Sequence, residues 1–339
     1  MALTSLPLRF PVRWLGGLLA LAAVAAFAAP QAGVVAPPQE RGVNEWLLRM
    51  QDASRLRSYV GTFVVSSSTG SMSSARIWHA GDSAQQVERV EVLTGAPRST
   101  FRRNDEVLTF LPERRVVRAE RRESLGLFPN LLKSSDSSIA EFYGARQLGG
   151  ERVAGFDADV VQLAPKDNLR FGYRVWSERR TGLVVKLQTL DADGIVLEQA
   201  AFSELQLDSP VRADKLAQMM QPPHGWRVER AEAVKTSASA EGWGLRGAVA
   251  GFRPLNCYKR PVSGRSPEGA IQWIFSDGLA SVSLFVEPYD HDRHQQEGVF
   301  AAGATQTLTR RIDDWWLTVV GEVPPQTLKA FAQSLERRR

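Results

Sequence analysis

The residues of this chain that could bind a metal ion are few. Two of its four histidines, His291 and His294, share the acidic segment 290–294. Imidazole and carboxylate groups at this spacing could supply some ligands of a metal site. No further histidine or cysteine cluster accompanies them, so the ligand set is too small, and a solvated loop would explain the segment equally well. We therefore expect neither a metal nor a cofactor.

Signals for enzymatic activity are also weak. Gly242–Gly247 has the glycine spacing of a dinucleotide-binding loop. Such a loop follows a strand and opens a helix within a βαβ unit, and no such unit is predicted around it. The chain lacks the Gly-x-Ser-x-Gly segment of many hydrolases, although a triad can be assembled from distant residues. The sequence favours a binding protein, with an exported hydrolase as a weaker alternative.

The clearest charge feature is an arginine-rich segment. Residues 98–122 contain eight arginines and four acidic residues. Guanidinium groups bind phosphates and carboxylates, so this segment could bind anionic groups of lipids or of an acidic partner. A solvated strand face is the alternative. The candidate residues are Arg114, Arg115, Arg118 and Arg122.

The N-terminus has the pattern of a secretory signal peptide. Arg9 and Arg13 precede the apolar run Trp14–Ala29, which ends in a small-x-small cleavage pattern. The run is shorter than the roughly 20 residues that a membrane-spanning helix needs. We expect residues 1–28 to be removed and the mature chain to be periplasmic, with an uncleaved anchor as the alternative. Nucleic acid is therefore not an expected partner.

Length and composition set the scale of the fold. The chain has 339 residues, of which 43% are hydrophobic and 23% charged, so two globular domains are expected. The single cysteine, Cys257, cannot form an internal disulfide, and stability must come from apolar cores. Cys257 is expected to be a buried thiol, with an intermolecular link as the alternative.

Apolar periodicity predicts mostly antiparallel strands. An amphipathic helix from Val43 to Ala53 precedes a run of alternating strands between Arg57 and Arg122. Few strands are apolar on both faces, which indicates a curved sheet with one covered face. A smaller part follows, with strands from Trp226–Val234 onward and a closing helix after Pro325.

Motifs occur in both parts of the chain, among them Phe142–Arg146, Tyr173–Trp176, Phe275–Leu279 and Val320–Thr327. With these motifs the chain resembles the MucB/RseB family of periplasmic regulators of the envelope-stress sigma factor (sigma-E or AlgU type). The resemblance covers about Val43 to Leu335. One departure is Ala248–Phe252, which lacks a proline that family members often carry there. The motifs that carry the resemblance are Phe142–Arg146, Gly150–Gly155, Tyr173–Trp176, Gly182–Gln188, Phe275–Leu279, Ser281–Val286 and Val320–Thr327.

This resemblance implies an α+β fold of mostly antiparallel strands. Residues 42–210 would form a half-open β-barrel with covering helices, similar to the lipoprotein carriers LolA and LolB. Residues 211–224 would form a linker, and residues 225–337 a smaller domain of one sheet and a helix. The expected signal peptide, residues 1–28, precedes both domains in the chain.

The resemblance also implies a function. Family members bind the periplasmic region of a single-span anti-sigma factor, shield it from regulated proteolysis and release it on sensing lipoprotein or lipopolysaccharide. The chain would then be a non-enzymatic negative regulator of the envelope stress response. A periplasmic lipoprotein or lipid carrier of the LolA type is the alternative, and the second domain favours the regulator. Homo-oligomers are left open.

A lipid-binding role would place acyl chains between the curved sheet and its covering segments. The apolar segment 125–132, broken by Gly126 and Pro129, is either a core-capping turn or a mobile flap over a cavity. For each strand residue, ordinary core packing is the alternative to lipid contact. The candidates are Phe63, Val65, Ile77, Phe110, Leu127, Phe128, Leu131 and Leu132.

Overall fold

A computed structural model describes residues 41–82, 85–121, 128–132, 138–230, 233–260 and 269–338. The expected signal peptide at residues 1–28, and the candidates Arg122 and Leu127, lie outside these ranges. Within them, no helix is both long and apolar enough to cross a membrane.

The larger part of the structure is built on one sheet of twelve strands. Its order is β12-β6-β5-β4-β3-β2-β1-β11-β10-β9-β8-β7, and only the β12–β6 pair is parallel. The two end strands do not pair with each other, so the sheet is open. The strands are β1 Tyr59–Ser67, β2 Met72–Gly81, β3 Gln86–Val92, β4 Arg98–Arg103, β5 Glu106–Leu111, β6 Val116–Arg121, β7 Tyr143–Val153, β8 Phe156–Pro165, β9 Gly172–Glu178, β10 Val184–Leu190, β11 Val196–Leu207 and β12 Arg227–Arg230.

Two helices cover one face of this sheet. Helix α1, Val43–Leu56, buries one stripe of apolar side chains at helical spacing, as the sequence predicted. The short helix α2, Ile139–Phe142, precedes β7 and buries Ile139 in the same apolar core. We call the sheet face beneath these helices the covered face; it carries Phe63 and Ile77.

The smaller part contains a sheet of seven antiparallel strands and one helix. The sheet order is β13-β15-β16-β17-β20-β19-β18, and a separate pair joins β14 to β21 near the C-terminus. The predicted α+β class, with a large open sheet and a smaller sheet-and-helix part, is confirmed. Helix α3, Ala213–Gln218, lies in the segment between the two parts. The elements of the smaller part are β13 Val234–Thr236, β14 Trp243–Leu245, β15 Arg253–Arg260, β16 Ala270–Ser276, β17 Ser281–Pro288, β18 Gly298–Ala302, β19 Thr305–Ile312, β20 Trp315–Gly321, α4 Pro325–Ser334 and β21 Leu335–Arg337.

The segment between the two parts is not a free linker. Leu216 of α3 and Met220 are buried, and β12 pairs with β6 of the large sheet. The prediction that Trp226–Val234 begins the second sheet is therefore wrong for residues 227–230. The physical reason is an apolar cluster on β4, β5 and β6, which Met220, Trp226 and Val228 cover.

A buried arginine joins the two sheets. Arg170 precedes β9, and its Nε lies 2.8 Å from Oδ2 of Asp277, which lies in the turn between β16 and β17. Both side chains have 0% exposure. The guanidinium also donates to the carbonyl of Ala250 at 2.7 Å and lies over the rings of Phe142 and Phe252. One cation therefore contacts both parts of the molecule.

Asp277 is also bonded within its own turn. Its Oδ1 accepts hydrogen bonds from the amides of Leu279 at 3.0 Å and Ala280 at 2.8 Å. Burial raises the pKa of the Asp277 carboxyl, although these amides and Arg170 favour its charged form. The turn also sends the Leu279 side chain into the core of the large sheet, while Leu169 packs against the core of the small one.

We expect Arg170→Ala to destabilise the protein by about 3–5 kcal/mol, because it leaves the Asp277 carboxylate buried and unpaired. Urea unfolding followed by circular dichroism measures the change. Arg121→Ala is the matched control, since Arg121 is 87% exposed and 3.6 Å from Asp105, and exposed pairs contribute little. Equal unfolding midpoints for the two variants would contradict a structural role of the buried pair.

Candidate ligand-binding site

The covered face brings most of the predicted lipid-contacting residues together. Phe63, Ile77, Phe128 and Leu131 are all buried in one core. The ring of Phe128 lies 5.5 Å from that of Phe63 and 4.8 Å from that of Phe202, measured between centroids. Sequence reasoning missed Phe202, which lies opposite Phe63 on the neighbouring strand β11. Three aromatic rings therefore form the centre of this face.

A glycine makes room for the Phe202 ring. A Cβ atom at Gly61 would lie 2.6 Å from a ring carbon of Phe202 and 2.8 Å from the carbonyl oxygen of Glu204. Gly61 lies on β1, opposite Leu205 of β11. Its missing side chain allows the ring to lie across the strand.

The segment Phe128–Leu132 closes over the aromatic centre. Phe128 and Leu131 are 7% and 6% exposed. Ser54 of α1 donates a hydrogen bond of 2.8 Å to the side-chain oxygen of Asn130. We call this segment the plug, because its buried side chains occupy the covered face and one side-chain hydrogen bond ties it to α1. Val65 and Leu132 are half-buried at the edge of the same core.

Phe110 does not belong to this site. Ile77 is paired with Val90, and the neighbouring Arg89 is paired with Phe101, so Phe101 faces the opposite side of the sheet. Phe110 shares that opposite face, where its ring lies 6.2 Å from that of Trp226. The expectation that Phe110 lines the cavity is wrong, because strand register places it under the segment that ends in β12.

One row across the covered face links the apolar centre to an arginine. Ile77 pairs with Val90, Val90 with Thr100, Thr100 with Thr109, and Thr109 with Arg118. Paired residues lie on the same face, so Arg118 shares the covered face with Ile77. Four strand spacings separate these two residues, about 19 Å. Along this row the side chains change from apolar (Ile77 and Val90) to hydroxyl-bearing (Thr100 and Thr109) and then to cationic (Arg118).

The other arginines of the run have different surroundings. Arg114 and Arg115 are exposed beside a short 3₁₀ turn at Pro112–Arg114. Arg102, in contrast, is buried, and its Nε lies 2.8 Å from Oε1 of the buried Glu88. The arginines that form one run in the sequence are therefore divided between exposed and buried positions. Arg114, Arg115 and Arg118 remain as the described surface candidates.

Two of the four histidines, His79 and His294, are packed against aromatic rings. His79 stacks on Tyr59 at 4.8 Å, and its Nδ1 lies 2.8 Å from the carbonyl oxygen of Arg57. Burial lowers the pKa of His79. His294 stacks on Trp316, and its Nδ1 accepts the amide of Asp290 at 2.9 Å. Both imidazoles are buried in packing contacts.

No group of three potential metal ligands occurs in the part of the chain that the structure describes. Cys257 is a buried free thiol, as expected, and burial raises its pKa to about 11. The glycine motif Gly242–Gly247 contains β14, which pairs with β21 and is not part of a βαβ unit. None of these features resembles a catalytic centre.

An open cleft of about 920 Å³ lies between α1 and the ends of neighbouring strands. Its charged lining is largely paired: Arg41 lies 3.3 Å from Glu45, and Arg57 lies 3.0 Å from Asp208. Sequence reasoning did not predict this cleft. Paired charges of both signs give it no preference for an anion.

We expect Gly61→Ala to destabilise the protein by about 1–3 kcal/mol, because the methyl group must displace the Phe202 ring from a packed core. The urea midpoint measures this effect. Gly144→Ala is the control: Gly144 also lies in a strand, but a Cβ there would meet nothing within 4 Å. If both variants unfold at the same midpoint, the close packing of Phe202 on Gly61 does not stabilise the protein.

Comparisons with known proteins give consistent matches along the chain. The family profile described as the MucB/RseB N-terminal domain matches residues 42–220, and that of the MucB/RseB C-terminal domain matches residues 237–336. The chain is 30% identical over 309 residues to the sigma factor AlgU regulatory protein MucB of Pseudomonas aeruginosa, covering 88% of this chain and 92% of that protein. It is 27% identical over 295 residues to the sigma-E factor regulatory protein RseB of Salmonella typhimurium, covering 86% and 90%.

Solved structures show the same relationship. A crystal structure of MucB in complex with MucA(peri) matches with a TM-score of 0.65 and 28% identity, over 87% of this chain and 98% of that one. The MucA/MucB complex of Pseudomonas aeruginosa matches with a TM-score of 0.67 and 28% identity, over 87% and 99%.

Proposed function

The chain belongs to the MucB/RseB family, and from this we propose that it is a non-enzymatic periplasmic regulator that binds the periplasmic region of a transmembrane anti-sigma factor. It shields that region from regulated proteolysis and releases it when it binds lipoprotein or lipopolysaccharide. The observation that carries the proposal is the match over both parts of the chain to MucB, which was solved in complex with MucA(peri).

The surroundings of the histidines support a binding role over a hydrolase. His79 and His294 are 1% and 7% exposed. A general base must reach the substrate proton directly or through one water. Two of the four imidazoles are buried in ring stacks instead, which weakens the case for an exported hydrolase.

The covered face supports the sensing of an amphipathic lipid. An acyl chain would take the place of the plug side chains Phe128 and Leu131 on Phe63. The row from Ile77 to Arg118 would then direct an anionic headgroup toward the exposed guanidinium. The span of about 19 Å between these residues suits a lipid with several apolar carbons and a phosphate. Val65 and Leu132 would contact the acyl chain at the edge of the same core, and Arg114 and Arg115 would contact the headgroup.

The plug also gives a route from the covered face to the joint between the sheets. Phe142 of α2 packs against the core that contains Phe128, and the Arg170 guanidinium lies 4.3 Å from its ring. Displacing the plug would loosen α2 and thereby the buried ion pair of the joint. Release of the partner requires that lipid bind the free form more tightly than the partner-bound form.

A lipoprotein carrier of the LolA type is the alternative function. A carrier needs the large sheet and its covering helices, but not a second sheet joined to it by a buried ion pair. The small sheet has its own core and packs Leu279 into the large one. This joint favours the regulator.

The purified mature protein and the purified periplasmic region of the anti-sigma factor from the same genome test the proposal. Calorimetry should show a one-to-one complex, and the protein should slow cleavage of that region by the periplasmic protease that degrades it. Lipopolysaccharide should restore cleavage. Absence of binding, together with co-purification of varied lipoproteins, would instead identify a carrier.

Arg118→Glu should raise the lipopolysaccharide concentration that releases the partner by about tenfold, because one charge-assisted contact of roughly 1.5 kcal/mol is lost. Half-maximal release in a fluorescence binding assay measures this. Arg121→Glu, whose side chain projects from the opposite face of β6, should leave that concentration unchanged. An equal shift in both variants would indicate a general charge effect and no headgroup site.

A further inference from the structure

Strand β18, Gly298–Ala302, forms an unprotected edge of the small sheet. Its sequence Gly-Val-Phe-Ala-Ala contains neither a charge nor a proline. Val299 and Phe300 are each 41% exposed, and no residue of the strand is buried. Exposed apolar edge strands are sites where other polypeptides add a strand, and proteins usually protect such edges.

In the described residues, the other edge strands of the twelve-stranded and seven-stranded sheets are protected. Strand β7 carries a bulge between Gln147 and Gly149 together with charged side chains. Strand β12 has four residues, two of them arginine, and β13 has only three, with Lys235 at its centre. Bulges, charges and short length each oppose strand addition. Among these four edges, only β18 has neither a bulge nor a charged side chain.

The geometry of the β18–β19 hairpin shows which backbone groups are free. Ala302 pairs with Thr305 across the two-residue turn at Gly303 and Ala304. The pair that flanks such a turn is hydrogen-bonded, and hydrogen-bonded pairs then alternate along the strands. The amides and carbonyls of Val299 and Ala301 therefore point away from β19. Four backbone groups form the outer side of this edge.

The turn holds this edge in place against the large sheet. Gly303 and Ala304 are buried, and a Cβ at Gly303 would lie 2.9 Å from Cβ of Ser67 and 3.0 Å from Oε2 of Glu198. The edge is thus exposed along its length but anchored at its tip. Ser67 ends β1, two residues beyond Val65 at the rim of the covered face.

We propose that β18 is a docking strand for an extended apolar segment of the protein partner, which adds to the small sheet as an eighth strand. This inference rests on the proposed function and names the surface that the partner uses. The four outward backbone groups require a partner in β conformation. Val299 lies opposite the buried Leu308, so its side chain faces the helix α4 side, while Phe300 faces the other side. Small apolar side chains in the added strand would cover both.

A second copy of the chain fits this edge less well. A stable interface between two proteins buries about 1,600 Å² in total, and a five-residue strand supplies only a small part of that area. A flexible segment of a protein partner can bind to so short an edge when the rest of that partner contacts the protein elsewhere. Since the tip of β18 lies beside the rim at Val65, partner and lipid would meet at neighbouring positions, which suits release of one by the other.

Two variants and one control test the docking strand. Ala301→Pro removes an outward amide without removing a β18–β19 hydrogen bond, and Phe300→Lys places a charge on the edge. Leu255→Lys is the matched control, because Leu255 is 42% exposed on β15 of the same sheet. The probe is the purified periplasmic region of the anti-sigma factor from the same genome. Circular dichroism melting curves establish that each variant is folded.

We expect both β18 variants to bind the probe at least tenfold more weakly than the wild type, and Leu255→Lys to bind normally. Hydrogen exchange should show the amides of residues 299 and 301 protected only in the complex. Normal binding by folded β18 variants, without such protection, would refute the docking strand but leave the proposed function intact. Failure of the wild type to bind the probe would refute the proposed function instead. Protection that rises with the protein's own concentration, without probe, would assign the edge to a second copy and overturn the inference.

Discussion

The buried ion pair between Arg170 and Asp277 is the contact on which the arrangement of the two sheets depends. Removing two charges from water is costly, and the cost is offset only when the remaining hydrogen-bonding groups are satisfied. Here the guanidinium also pairs with the Asp167 carboxylate and donates to the Ala250 carbonyl, and the Asp277 carboxylate accepts from two amides of its own turn. Each partner comes from a different part of the chain. The pair therefore specifies one way of joining the sheets, which apolar packing alone would specify less sharply.

The two sheets meet at a second place besides this joint. Phe142 contacts both the core under the plug and the Arg170 guanidinium. The tip of the β18–β19 hairpin packs on Ser67 of β1 and Glu198 of β11. The small sheet thus touches the large one near its covering helices and near the rim of its covered face. In the proposed function, these two contacts are the routes by which a lipid on the covered face would affect the small sheet.

The large sheet uses both of its faces, and each face has a different cover. Helix α1, the plug and α2 cover the face that carries Phe63, while α3 and the residues up to β12 cover the cluster around Phe110. This second cover explains why the segment between the two parts is ordered. Its Trp226 ring packs on Phe110, so the chain leaves the first part along the sheet before it enters the second.

The sequence by itself determined what depends on neighbours along the chain. Alternating residues in β1 and the helical stripe of α1 predicted those elements correctly, because strand and helix periods are local properties. The apolar candidates around Phe128 were also predicted to lie together. Only the tertiary structure decided that Phe110 lies on the other face, that Arg102 is buried and that Arg118 shares a row with Ile77. These facts depend on the register between strands and on which segment covers each face, and contacts between residues far apart in the chain set both.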